Sequence, residues 1–182
     1  MNTLNINTQM SLLESEWGAT EFEGRMLRSL LGKYPTGVAI VATRTAEGRD
    51  VGLTINSFAS LSLEPPLVLW SLVEHSPNLA VFRDCEYFTI SILGCDHREL
   101  ALRFASSRVE NKFQDIPVQE TPEGIPSIGG AIATLVCANH QQTHLGDHLL
   151  VIGQVKRIAS IEGKPLVFHS GMFTGLHDVH EI

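Results

Sequence analysis

An antiparallel β-barrel, closed or nearly closed and carrying two or three short helices, is the fold class this sequence predicts. Three observations carry that expectation. Runs rich in β-branched residues recur along the chain, among them GVAIVATRT, VGLTINSFASLSL, PLVLWSLV and EYFTISIL. Polar turns join several of them as hairpins, at Ala46–Asp50, at Glu64-Pro65-Pro66 and at Gly146-Asp147. Helical patterns do not alternate regularly with strands, as a doubly wound parallel sheet requires.

Each element follows from local chemistry. Phe22, Met26, Leu27, Leu30 and Leu31 recur at helical spacing and predict a helix over 21–33. Tyr34-Pro35-Thr36-Gly37 ends it, because proline lacks an N–H and glycine frees the turn. GVAIVATRT is the first strand, and VGLTINSFASLSL reads as one long or bent strand before PLVLWSLV. Ser76 is a good N-cap and Pro77 suits the first helical position, so SPNLAVFRD predicts a helix. Asp96 and Glu99 have the spacing of a capping box that opens HRELALRFA. The stretch from Ser106 to Gly124 is polar and loop-like. GAIATLVCANHQQTH and LLVIGQVKRI predict a long hairpin, and PLVFHSG a last short strand. Residues 1–20 read as a polar arm and 21–182 as one domain, with neither repeat nor linker.

Composition narrows the function. The chain has 182 residues, of which 43% are hydrophobic and 18% charged, enough for one well-buried core. A formal net charge of -7 argues against a nucleic-acid partner. No apolar run reaches the roughly 20 residues a membrane crossing needs, and the N-terminus has no secretory pattern. The three cysteines, Cys85, Cys95 and Cys137, are scattered and odd in number. They read as reduced core residues of a cytoplasmic protein.

No G-x-G-x-x-G follows a strand, and no G-x-S-x-G elbow is present. The chemistry lies in polar residues threaded through apolar strands: Thr54, Asn56, Ser57, Ser60, Ser62, Ser71 and Ser76. An asparagine inside a strand is disfavoured unless it bonds locally or to a ligand. The Asn56 amide matches the alternating donors and acceptors of an isoalloxazine edge; the plainer reading is a bulge satisfied by its own backbone. The turn at Ser76-Pro77 and the FASSR run at 104–108, with Arg108 and Lys112, offer N–H groups, hydroxyls and cations to phosphate. Simple capping and solvated charge are the alternatives there. His140, His144 and His148 are spaced by four, but strand-rich flanks and a turn at Gly146 argue against a metal site. His148, just after that turn, suits hydrogen bonding to a nicotinamide amide. Phe168, His169 and Phe173 would either cover an aromatic ligand or plug the barrel end.

These residues resemble the flavin reductase family, with its FMN-binding split-barrel fold. The matching pieces are KYPTGVAIVAT, GLTINSFASLSLEPPLVLWSL, the SPNL turn, RFASS, NKF, GDHLLVIGQV and PLVFHSG, from about residue 22 to 176. The resemblance implies a homodimeric Greek-key split barrel that binds FMN or FAD near the subunit interface. It implies that Thr54, Asn56 and Ser57 line the isoalloxazine and ribityl chain. Ser71, Leu72, Ser76 and Asn78 would follow the ribityl-phosphate, and Phe104, Ala105 and Ser106 would close around the phosphates. Pro35 and Thr36 would lie nearby, Phe168 would join the flavin site, and His148 would stand beside the nicotinamide. After Ser170-Gly171 the family often has Arg or Lys and then Tyr; here Met172 and Phe173 follow, which bears on any preference for NADPH over NADH.

The activity so implied is NAD(P)H-dependent reduction of a flavin, which then diffuses to a separate monooxygenase. Two other classes remain: a non-catalytic flavin-binding or storage module, and a split-barrel oxidase of a small amine or phosphorylated vitamin. The oxidase would show an Arg/Lys cluster for a second phosphate, and no obvious one is seen. FMN against FAD, and NADH against NADPH, stay open.

Overall fold

The structure, a computed structural model, describes residues 23–176. The expected arm at 1–20, the first two residues of the expected helix and the tail after Leu176 lie outside the described residues. Helix α1, Gly24–Leu31, ends where the Gly32 N–H donates to the Arg28 carbonyl at 2.9 Å. It buries none of its residues, and Met26, Leu30 and Leu31 are all more than half exposed.

The body begins at Pro35. Its strands are β1 (Thr36–Gly37), β2 (Ala39–Arg44), β3 (Asp50–Ile55), β4 (Ala59–Leu63), β5 (Pro66–Val73) and β6 (Tyr87–Ile92). Then come β7 (Val118–Glu120), β8 (Pro126–Ile128), β9 (Ala133–Leu145), β10 (His148–Ser160), β11 (Leu166–His169) and β12 (Met172–Gly175). Helices α2 (Leu79–Asp84) and α3 (Arg98–Ala105) interrupt them.

Seven strands form one sheet in the order β3-β2-β6-β9-β10-β5-β4. Strands β3 and β4 are neighbours in the chain yet lie at opposite edges. Only 56–58 join them, a link that extended backbone can stretch to about 14 Å. The sheet must therefore curl until its edges nearly meet, and no β3–β4 ladder completes it. That is the split barrel. The expected single strand from Val51 to Leu63 is instead two strands broken at Asn56–Phe58. A second sheet, β1-β11-β12, and the short β7–β8 hairpin complete the body.

The core has two parts because β2 is buried on both faces. Ala39 and Val41 join Val51, Trp70, Phe82, Phe88 and Val151 inside the barrel. Val38 and Ile40 point the other way, toward Leu93, Ala101, Phe104, Ile128 and Leu166. The Trp70 ring meets Phe82 edge-on at 5.2 Å and Phe88 at 5.8 Å, the packing that aromatic quadrupoles favour. The expected long hairpin is β9–β10, joined by Gly146-Asp147 with Gly146 at φ +61°.

Several local expectations are corrected. Ser76 does not cap a helix; its hydroxyl accepts the Asn78 N–H at 3.2 Å, and α2 starts only at Leu79. Asp96 and Glu99 form no capping box. Instead the Gly94 N–H donates to His97 Nδ1 at 3.3 Å, and a short 3-10 turn, Cys95–His97, precedes α3. Strands β7 and β12 lie where a loop and a tail were expected, and β8 in a stretch given no element. Among the cysteines, Cys137 is buried and Cys85 half-buried, but Cys95 is exposed and not a core residue. Burial pushes the Cys85 thiol up to about 11 and that of Cys137 up to about 12, so neither is a thiolate at neutral pH.

Candidate functional site

Strand β3 alternates, so Gly52 and Thr54 share one face, and Asn56 follows at the bend just past the strand. That face forms a wall of two adjoining recesses. The first, of about 160 Å³, is lined by Val38, Thr54, Asn56, Ala105, Phe168 and Phe173. The second, of about 240 Å³, includes Gly52, Asn78, Ser107 and Lys112. The end of helix α3 and the turn after it supply the facing wall: Ala105 lines the first recess, and Ser107, two residues on, lines the second.

Hydrogen bonds fix this wall. The Thr54 hydroxyl donates to the Ala101 carbonyl at 2.7 Å, tying β3 to α3. Its oxygen keeps lone pairs for a donor in the recess. Ser57 donates to the Ser71 carbonyl at 3.2 Å and accepts the Ser71 N–H at 3.1 Å, so its hydroxyl serves the barrel seam. Asn56 is exposed, and its amide has no hydrogen-bond partner among the described residues. The satisfied-bulge alternative is therefore not what the structure shows. Thr36 Oγ1 is buried without a partner, on β1 opposite Phe168. Such an orphan oxygen is costly unless a ligand or water meets it.

Phe104 and Leu72 are placed differently from the exposed residues. Phe104 is 0% and Leu72 3% exposed, so they present only backbone to a ligand. The Phe104 ring packs edge-on against Phe113 at 4.9 Å, beneath Gly52. A Cβ on Gly52 would lie 2.8 Å from the Phe104 ring, so the strand needs glycine there. The Lys112 ammonium donates to the Phe104 carbonyl at 2.8 Å, and burial lowers its pKa. Arg108 is exposed, and Ser106 accepts its N–H at 3.2 Å. Pro35 is exposed before β1, and Ser76 is half-buried beside Asn78.

The aromatic pair Phe168 and Phe173 packs at 5.4 Å across β11–β12. The pair lines the recess and packs on the outer core cluster. His169 is exposed and lines neither recess.

The histidines lie at the far end of the β9–β10 hairpin. His148 Nδ1 is 2.7 Å from Asp147 Oδ1, and His144 Nδ1 is 2.7 Å from Glu74 Oε1. The His148 ring holds the Asp147 carboxyl below the usual carboxylate range. Asp147 thus favours the tautomer that leaves Nε2 facing outward. No group of three potential metal ligands converges among the described residues. Sequence reading missed Val38, Gly52 and Ser107 as lining residues. The period-two spacing Gly52–Thr54–Asn56 carried the signal for Gly52; Val38 needed the β1–β2 path.

Residues 31–177 match the model of the flavin reductase like domain. The chain belongs to the flavin reductase family. It is 40% identical over 149 residues to the FMN reductase (NADH) SmoA of Agrobacterium fabrum, covering 82% of this chain and 84% of that protein. HsaB, the reductase subunit of a flavin-dependent monooxygenase from Rhodococcus jostii, is 35% identical, covering 87% of this chain and 80% of HsaB. Among solved structures, the NADH:FAD oxidoreductase SgcE6 of Streptomyces globisporus, in complex with NAD and FAD fragments, superposes with a TM-score of 0.80. It is 31% identical, and the match covers 85% of this chain and 93% of that one.

The residues present fit a flavin. An apolar slot between Val38 and the two phenylalanines suits a flat aromatic ring. The unpartnered Asn56 amide offers a polar partner at its rim.

Proposed function

We infer that this flavin reductase takes reducing equivalents from NADH, binds the flavin along β3, and releases reduced flavin to a separate monooxygenase. The observation that carries the reading is the pair of adjoining recesses, one apolar with a free amide, one holding a half-buried lysine, along one strand of a flavin reductase fold. NADH as donor follows the names of the similar proteins SmoA and SgcE6, and the oxygenase partner follows that of HsaB.

The bound flavin supplies the redox chemistry, accepting a hydride equivalent from the reduced nicotinamide. The protein binds and orients. Asn56 and Thr54 meet the ring's polar edge, with Thr36 and Pro35 beside it, and Phe168 covers an apolar part. Ser57 contributes through backbone, because its hydroxyl serves Ser71. Ser71, Leu72, Ser76 and Asn78 follow the ribityl-phosphate, with backbone alone at Leu72. Ala105, Ser106 and the Phe104 backbone stand near the phosphate. His148 orients the nicotinamide amide through Nε2, held by Asp147.

A slot of about 160 Å³ is smaller than the roughly 300 Å³ at which ligand pockets begin, so one chain covers only part of the ring. A second copy completes the site in this reading. Strand β4 is a sheet edge whose Leu61 and Leu63 are 47% and 93% exposed, a hazard that a homodimer would cover. The free cysteines suit a reducing cytoplasm, and no helix among the described residues is long and apolar enough to cross a membrane.

The test is NADH oxidation with catalytic FMN or FAD, followed at the nicotinamide absorbance band. Consumption well above the free-flavin background supports a reductase. Flavin binding without consumption would leave the storage module as the function. Sedimentation of the protein should give the mass of two chains; a monomer at micromolar concentration would remove the shared site.

A further inference from the structure

Strand β10 begins at His148, with β5 on one side and β9 on the other. His148 is paired with Val73 on β5 and with Leu145 on β9. Glu74 follows Val73, and His144 precedes Leu145. Their side chains meet, with His144 Nδ1 at 2.7 Å from Glu74 Oε1. A bond between the outer two of three strands must cross the middle one, so the pair closes over the start of β10. A carboxylate only accepts, so the ring nitrogen carries the proton. The Glu74 backbone takes part as well: its N–H donates to the Asp147 carbonyl at 2.9 Å.

Among the described residues, the barrel core gives this end little support. Leu145 is 57% exposed, a Cβ on Gly146 would meet nothing within 4 Å, and the Asp147 side chain is 86% exposed. Full burial begins at Leu149, 1% exposed. The His148 ring is bonded to Asp147, its own neighbour in the chain. A bond between chain neighbours moves with the turn and cannot anchor it. The anchor is Glu74, which reaches the turn through its backbone and β9 through its carboxylate.

We propose that Glu74 and His144 are positioning residues for the hydride donor, acting through the turn that carries His148. The proposal rests on the reading above that sets His148 beside the nicotinamide. With the clasp closed, the ends of β5, β9 and β10 hold one geometry, and His148 Nε2 is presented in one place. With it open, the turn swings about Gly146 while the ladder from Leu149 onward stays intact. The loss therefore falls on the docking of NADH, not on the flavin or the fold. His144 and Glu74 are 59% and 45% exposed, so the pair contributes as a surface pair does and the effect is graded.

Steady-state kinetics with NADH at saturating FMN, together with FMN binding measured without NADH, test it. Glu74→Ala and His144→Ala should each raise the KM for NADH about two- to fivefold, with kcat, FMN affinity and the midpoint of thermal unfolding unchanged. Glu74→Gln keeps an acceptor for the ring N–H and should recover most of the parent KM. In a His148→Ala background neither alanine should raise the KM further, because nothing remains to be positioned. His140→Ala removes an exposed histidine four residues away on the same strand and should change nothing. An unchanged KM in Glu74→Ala and His144→Ala, or an increase that multiplies with that of His148→Ala, would overturn the positioning role. An increase in KM matched by weaker FMN binding would show a merely structural clasp and overturn it too. An unchanged KM in His148→Ala would instead remove the nicotinamide reading itself, and the role of the clasp with it.

Discussion

The Ser57 hydroxyl holds both backbone polar groups of Ser71, donating to the carbonyl at 3.2 Å and accepting the N–H at 3.1 Å. The β4–β5 ladder runs in the register Ala59↔Leu69, which places residue 57 opposite residue 71. One side chain thus continues the ladder past the last strand residue, at the point where the chain crosses from one sheet edge to the other. Ser57→Ala leaves a half-buried N–H and carbonyl unmet. It should cost about 1–3 kcal/mol in denaturant unfolding, and Ser57→Thr should cost less. An alanine variant as stable as the parent would show that the seam is held elsewhere.

At Gly153, β10 lies close against the barrel core. A Cβ there would sit 2.6 Å from the Phe88 ring and 2.9 Å from the Cys137 Cβ, and both residues are 0% exposed. Phe88 cannot retreat without moving Trp70, whose ring it meets at 5.8 Å. Gly153→Ala should therefore destabilise by about 1–3 kcal/mol, the usual range for overpacking, as a lower midpoint of thermal unfolding. Gly124→Ala probes a different cost, because its φ is +74° with nothing within 4 Å. There only backbone strain is added, of about 1 kcal/mol.

What the sequence made legible follows from how local the signals are. The β9–β10 hairpin was readable because alternation and the Gly146 turn lie within a few residues of each other. The break at Asn56–Phe58 was not, because Ser57 is fixed by Ser71, fourteen residues on, and nothing between them marks a seam. Strand β12 has a pattern too short to stand out, and pairs only because β11 precedes it. The site divided in the same way. Asn56 stood out as a polar residue in an apolar strand. That Thr54 and Ser57 spend their hydroxyls on the scaffold depended on partners that only the fold brings near. The same holds for Phe104, whose ring is core.

Asn56 is the free amide at the ring slot. Asn56→Leu removes its hydrogen bonds and keeps a similar size. Flavin affinity should fall roughly tenfold, for riboflavin, FMN and FAD alike, since all share the ring. Normal affinity for all three would reduce Asn56 to a rim residue without a ligand role.

His148 touches neither recess, so its effect should fall on the nicotinamide. His148→Ala should raise the KM for NADH about two- to tenfold, the loss of one ordinary hydrogen bond, and leave flavin dissociation constants unchanged. Asp147→Asn keeps a hydrogen-bonding partner but can present its amide N–H to the ring. That favours the opposite tautomer, and the NADH response should shift in the same direction by less. An unchanged KM for NADH in His148→Ala would place the donor elsewhere on the surface.

Lys112 gives the recess a pH signature. Burial lowers its pKa below 10.5, so in the free protein it loses its proton earlier than an ordinary lysine. A bound phosphate favours the charged form and raises that pKa. Binding of FMN must then become proton-linked above the free-protein pKa, with affinity falling as pH rises. The other charged groups at the recess are Arg49, Asp50 and Glu110. Riboflavin shares the ring's own ionisation and lacks the phosphate, so it is the internal reference. The ratio of FMN to riboflavin affinity should decline between neutral pH and 10.5, and in Lys112→Met it should be flat. A declining ratio in the methionine variant would assign the titration to some group other than Lys112.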